Sequence, residues 1–186
     1  MKPWLLNILA CPMDKHHPLD AYFFTLETTE ADIQRTATEA GKPDGSLSQK
    51  YGQLAKQILD GTISPPSIKA IRDETGSDHL AVLMGKALKA LVKVGKSKGL
   101  DQKGLLERLP DEIDALYRYL NLVDVREGVL VCPECGRWYP IGTNVETIPE
   151  LMPDELRERE RELDWMRKWE AKIPSETLRK GKPFHI

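Results

Sequence analysis

The sequence predicts an α+β fold: a small β module built from both chain ends, a helical bundle inserted between them, and a charged C-terminal helix. Three observations lead there. Two short cysteine-bearing segments, Cys11-Pro-Met-Asp14-Lys-His16-His17 and Cys132-Pro-Glu-Cys135-Gly-Arg-Trp-Tyr-Pro-Ile141, lie more than a hundred residues apart and are both flanked by apolar, β-branched and aromatic residues. Between them the apolar period changes to the three- and four-residue spacing of helices. After Asp154 the chain is dense in acids and bases. The expected partition is residues 1–26 and 126–153 for the β module, 27–125 for the insertion with a polar linker, and 154–186 for the tail.

Leu5, Leu6, Ile8 and Leu9 before the first cysteine, and Leu19, Tyr22, Phe23, Phe24 and Leu26 after it, suggest short strands around a metal loop. Glu30 to Ser48 is polar, is broken by Gly41-Lys-Pro-Asp-Gly45, and reads as an irregular linker. Leu47, Tyr51, Leu54, Ala55, Ile58 and Leu59 then form a helical stripe, with Gly61 where a C-terminal glycine belongs. Pro65 and Pro66 suit the first turn of a short helix through Ile68 and Ile71 that Gly76 ends. Leu80, Leu83, Met84, Ala87, Leu88 and Leu91 make the most regular stripe, with Asp78 as N-cap and Gly95 near the stop. A fourth helix follows Pro110 through Ile113, Leu116, Tyr117 and Leu120.

Strand character returns at Glu127 to Cys132 and at Arg137 to Ile141. Thr147-Ile-Pro-Glu-Leu-Met-Pro153 is apolar and extended, and its two prolines suit a sheet edge because proline donates no ladder hydrogen bond. The tail helix starts with Pro153 at its first position and carries Trp165, Met166 and Trp169. The aromatic residues Trp138, Tyr139, Trp165 and Trp169 are read first as packing residues.

The chain has 186 residues, a net charge of −2 and 40% hydrophobic residues, a balance that suits a soluble globular protein and gives no general basic excess for phosphate binding. Three cysteines, two of them in a C-x-x-C, argue against a disulfide framework and for a reducing, cytoplasmic setting. No stretch reaches the ~18 apolar residues of a membrane span. Ile8-Leu-Ala-Cys11 resembles a lipoprotein cleavage site, yet the apolar run before it is short of the ~7–15 residues a signal core needs.

Each cysteine segment has the form of half a zinc ribbon, in which two knuckles meet around one tetrahedral ion. Cys11, Cys132 and Cys135 are the thiolate candidates. Asp14 stands where a second cysteine would complete the first knuckle, so the fourth ligand is Asp14, His16 or His17; alternatively, hydrogen bonds alone hold the turn. A redox C-x-x-C belongs at a strand-to-helix junction, whereas strands are expected on both sides here. Phosphate-binding glycine loops, nucleophile elbows and H-E-x-x-H are missing from the sequence, and His79 and His185 stand alone.

Leu6-Asn-Ile-Leu-Ala-Cys11-Pro-Met-Asp-Lys15 with Pro18-Leu19, then Glu127-Gly-Val-Leu-Val-Cys132-Pro-Glu-Cys135-Gly-Arg-Trp-Tyr-Pro-Ile141, then Ile148-Pro-Glu-Leu-Met-Pro-Asp154, resemble the multifunctional methyltransferase-activator subunits, small zinc-ribbon partners of tRNA, rRNA and release-factor methyltransferases. Longer members of that family carry a helical domain inserted between the two halves of the ribbon, and this chain resembles an archaeal-type member. The resemblance implies a chain that is not an enzyme and does not itself bind S-adenosylmethionine. It implies a zinc site, heterodimers with Rossmann-type methyltransferases, and only indirect contact with tRNA or ribosome. Strand addition and apolar contact would run through Trp138, Tyr139, Ile141, Ile148, Pro149, Leu151 and Met152. The competing reading is a free-standing zinc ribbon that binds nucleic acid, for which Lys86, Lys89, Lys93, Lys96 and Lys98 form a basic cluster that otherwise reads as a solvated helix face.

Overall fold

Alternation along Ala21-Tyr-Phe-Phe24 sets the layering of this protein. In the computed structural model, which describes residues 1–97 and 99–186, strand β1 (Asp20–Leu26) turns Ala21 and Phe23 to one face and Tyr22 and Phe24 to the other. It pairs antiparallel with β3 (Val125–Val131), which in turn pairs antiparallel with β4 (Trp138–Ile141). A fourth, three-residue strand, β2 (Ile71–Asp73), lies parallel to β1, so the order is β2-β1-β3-β4.

The first face carries Ala21, Phe23, Leu130, Tyr139 and Ile141 and is covered by helices from the segment between the two cysteine motifs. These are α1 (Glu30–Glu39), α2 (Ser48–Leu59), α3 (Pro65–Lys69), α4 (Asp78–Lys96), α5 (Gln102–Arg108) and α6 (Pro110–Leu122). The second face carries Phe24, Val129 and Trp138 and is covered by the C-terminal helices α7 (Arg159–Lys168) and α8 (Ser175–Lys180) with the turns around them. Helices on one face, sheet, and helices on the other make three layers, an α+β architecture. No helix among the described residues is long and apolar enough to cross a membrane.

Several elements differ from the sequence expectation. Glu30 to Glu39, expected to be irregular, is helical. Its buried stripe, Ile33, Thr36, Ala37 and then Ala40, uses small and polar residues that hide the period, and Thr29 caps it by accepting from the Asp32 backbone N–H at 3.2 Å. The short helix after Pro65 stops at Lys69, and Ile71 leaves it as a strand residue, because Ala21 N–H takes the Ala70 carbonyl and Glu74 N–H takes that of Phe23. Ser77, one residue before the expected Asp78, is the cap of α4; its Oγ accepts from Leu80 N–H at 3.1 Å. Helix α5 was unforeseen, and Asp101 caps it on Gly104 N–H at 2.8 Å.

At the N-terminus, Pro3–Asn7 is a 3-10 turn rather than a strand. The tail helix begins at Arg159, not at Asp154, because Arg157 lies in extended backbone and turns inward. Its guanidinium lies over the Trp138 ring at 4.6 Å and bonds the Trp138 carbonyl at 2.8 Å.

Candidate metal centre and adjoining surface

The two cysteine segments fold as matching knuckles. In the first, Cys11 N–H donates to the His16 carbonyl at 3.0 Å and Lys15 N–H to the Cys11 carbonyl at 2.9 Å; in the second, Cys132 N–H donates to Arg137 at 2.7 Å and Gly136 N–H to Cys132 at 2.9 Å. The residue four after each first cysteine takes positive φ, 63° at Lys15 and 71° at Gly136. Glycine adopts that region freely, whereas lysine does so at a cost of about 1–2 kcal/mol. By this register Asp14 sits where Cys135 sits.

β1 and β3 carry the knuckles together, since Asp20 pairs with Val131 beside both loops. As a result Cys11 Sγ, an Asp14 carboxylate oxygen, Cys132 Sγ and Cys135 Sγ all lie within 4.8 Å of one another. Cys11 and Cys132 are fully buried, and Asp14 is on the surface. Three thiols and one carboxylate in such a cluster are compatible with a metal site.

His16 and His17 are outside that group. His16 contributes its backbone N–H to Asp14 at 3.0 Å. The His17 ring is occupied elsewhere, with Nδ1 at 2.9 Å from the Leu9 carbonyl and Nε2 at 3.2 Å from the buried Ser67 hydroxyl. The Asp14 carboxylate joins the thiols, whereas the His17 ring, three residues on, is held against Leu9 and Ser67.

The backbone N–H of His16, with the neighbouring thiols, holds the Asp14 carboxyl well below the usual carboxylate range. Burial pushes the Cys132 thiol up to about 12. Tyr139, fully buried, brings its hydroxyl to 3.1 Å from Cys11 Sγ; burial first, and the cysteine second, raise its pKa. Sequence reading took Tyr139 for a packing or partner residue and missed this contact, which rests on the pairing of Tyr139 with Leu130 across β3 and β4.

The residues expected to face a partner divide into two groups. Trp138, Tyr139 and Ile141 are fully buried within the chain, because β4 is covered on both faces rather than one. Pro149, Leu151 and Met152 are half-buried, and Ile148 is 50% exposed. Every outward backbone group along β4 also has a partner. Trp138 N–H donates to Lys182 and its carbonyl accepts from Arg157; the Pro140 carbonyl accepts from Glu150 N–H, and Gly142 N–H donates to Ile148. Pro140 has no N–H to offer.

The basic cluster on α4 is mostly solvent-facing, with only Lys86, among the described residues, committed inside the molecule. Lys86 Nζ donates to the Ala37 and Ala40 carbonyls at 2.7 and 2.9 Å, closing the C-terminus of α1, and Lys93 pairs with Glu112 at 2.6 Å. Lys89, Lys93 and Lys96 are exposed, and Lys98 lies outside the described residues.

Comparison with known proteins adds two findings. Segments of the chain are 29% identical over 127 residues to the bifunctional uridylyltransferase/uridylyl-removing enzymes of Bradyrhizobium sp. strains ORS 278 and BTAi1, covering 61% of this chain. The chain spans only 13% of the length of those relatives. The family model of Trm112p-like proteins matches residues 2–142, from the first turn through β4 and including both knuckles. That match covers well over half of the sequence, so the chain belongs to the Trm112p-like family.

Proposed function

We propose that this chain is a non-catalytic activating and stabilising subunit of S-adenosylmethionine-dependent methyltransferases that act on tRNA, rRNA or a translation release factor, held in shape by one zinc ion and working in the cytoplasm. The observation that carries the reading is the pair of matching knuckles within a family of activators. The donor geometry supports zinc. A tetrahedral ion with thiolates at ~2.3 Å and a carboxylate oxygen at ~2.0–2.2 Å has S···S edges of ~3.8 Å and S···O edges of ~3.5–3.7 Å. Here Cys11 Sγ and Cys135 Sγ are 3.8 Å apart, and Cys132 Sγ lies 3.4 and 3.6 Å from the Asp14 oxygens.

Zinc would tie residue 11 to residue 132 and so close the loop that contains the inserted helices. The partner would be a Rossmann-type methyltransferase, contacted through Ile148, Pro149, Leu151 and Met152, with Trp138, Tyr139 and Ile141 in the layer beneath. The nucleic-acid alternative is weakened by the internal commitment of Lys86 and by the pairing of the exposed Lys93 with Glu112. Co-purification of the tagged chain from its native cell should yield a methyltransferase whose S-adenosylmethionine binding rises with the subunit present. Recovery of tRNA with the chain alone would favour the free ribbon instead.

A further inference from the structure

The family match ends at residue 142, yet one whole layer of this molecule comes after it. Without residues 154–186, the sheet face bearing Phe24, Val129 and Trp138 would stand open, and a sheet face with large apolar side chains requires a cover. The chain supplies that cover itself. Trp165 stacks on Trp138 at 6.1 Å with planes 7° apart, Trp169 meets Phe24 at 5.2 Å, and Met166 and Ile173 complete the cluster. The same segment takes the edge: Lys182 accepts from Trp138 N–H at 3.2 Å, and Arg157 donates to the Trp138 carbonyl at 2.8 Å.

The cover is anchored by side-chain bonds and a small apolar cluster: Arg137 pairs with Asp154 at 2.9 Å, Trp138 Nε1 donates to the Phe184 carbonyl at 2.9 Å and Lys172 to the Phe24 carbonyl at 3.0 Å. Its apolar cluster is separate from the main core and has six buried members. Lys182 meets β4 through a single isolated bridge to Arg137 rather than a ladder. Arg157 and Glu162 form a buried ion pair, an arrangement whose desolvation offsets much of its attraction. Trp165 Nε1, Arg157 Nε and Arg161 Nε are buried without hydrogen-bond partners.

We infer that residues 154–186 are a displaceable strap, which occupies in the free subunit the sheet face and β4 edge that an apolar, strand-presenting surface of the methyltransferase takes over in the complex. This rests on the activator reading above. Strap release would free the Trp138 N–H and carbonyl together with the Phe24, Val129 and Trp138 face, a combination of edge and apolar side chains suited to strand addition. The Ile148–Glu150 segment would keep its own bonds to Gly142 and Pro140.

Gly181 allows a direct test in the full-length chain. A Cβ there would clash with the Thr177 carbonyl in the strap's own helix α8 and stand 2.8 Å from Trp138 Cδ1, so Gly181→Ala disturbs the strap's last turn as well as its seat on β4. The probe is a fluorescent synthetic peptide of residues 154–186. Because apparent affinity scales with the open fraction, Gly181→Ala and Trp165→Ala should each bind it about tenfold more tightly than the unaltered chain. Hydrogen exchange separates opening from unfolding. In Gly181→Ala the Trp138 amide, bonded to Lys182, should lose protection while the Gly142 amide, bonded to Ile148, retains it.

No gain in peptide binding by either variant, or equal loss of protection at both amides, overturns the strap. If the strap opens as expected, the methyltransferase recovered with the tagged chain should bind Gly181→Ala more tightly too. Indifference of that enzyme overturns its role as displacer and leaves the activator reading on another surface. Recovery of no methyltransferase at all removes the activator reading while the peptide exchange stands.

Discussion

Asp14 shows how a single side chain can be placed by the backbone rather than by its own chemistry. The Cys11-to-His16 and Cys132-to-Arg137 turns share the same two backbone bonds and the same positive φ, so the fourth position of each aims inward whatever residue fills it. Asp14→Cys should therefore retain metal at least as well as the unaltered chain, Asp14→Ala should lose about tenfold or more in affinity, and His16→Ala should match the unaltered chain; competition with a chromogenic chelator reads all three. Acid should release the ion through the thiols. Asp14 stays ionised because its carboxyl is held low, whereas burial of Cys132 favours its protonated form, so metal binding expels protons and falling pH reverses it. Retention should drop as pH falls from neutral, followed by elemental analysis after dialysis at stepped pH. A buried carboxylate elsewhere has a structural task. Asp114, fully buried, accepts from Tyr51 at 2.6 Å, from Arg118 at 2.9 Å and from Gly41 N–H at 2.8 Å, fastening the turn after α1 to α6. Asp114→Ala leaves the buried Arg118 without that partner and should destabilise the fold by about 3–5 kcal/mol in urea denaturation.

At the scale of elements, legibility followed the size of the buried side chains. Helix α4, with Leu80, Leu83, Ala87 and Leu91 on its buried stripe, could be read directly, and so could α6 through Ile113, Leu116 and Leu120. Helix α1 could not, because Thr36, Ala37 and Ala40 bury little apolar area and leave polar residues to dominate the composition. Strand β2 was hidden for a different reason: Ile68 and Ile71 are three apart, a helical interval, and only pairing with the distant β1 makes Ile71 extended. The metal cluster was legible in three cysteines and an aspartate, whereas the hold on the His17 ring depended on Leu9 and on Ser67, distant in sequence. The N-cap of α4 offers a check at this scale. Ser77→Ala removes the acceptor for Leu80 N–H and should cost about 1 kcal/mol, whereas Asp78→Ala, which alters only first-turn charge, should cost less than about half of that; thermal unfolding distinguishes them.

For the whole molecule, the apolar surface open to a partner before any strap release is what remains once both faces of the sheet are covered. The edge of β4 is occupied, its four side chains are buried, Lys86 serves an internal contact and the exposed Lys93 is paired with Glu112, so a bare strand does not dominate the exterior. What stays outside near β4 is Ile148 with its neighbour Val145, 50% and 55% exposed, at the turn that follows the family-matched region. Leu151, three residues on, packs partly against the main core, so its substitution mixes stability with binding. Ile148→Asp is the cleaner change: it places a charge on an exposed position and removes no core contact. Charges at the centre of an apolar subunit contact remove hot-spot energies of about 2 kcal/mol or more, which corresponds to a loss in affinity of roughly thirtyfold or greater. Ile148→Asp should therefore remain folded and metal-loaded, yet fail to co-purify with the methyltransferase and fail to raise its S-adenosylmethionine binding. Leu151→Asp should do the same and also unfold at lower urea. Normal co-purification of Ile148→Asp would move the contact off this turn.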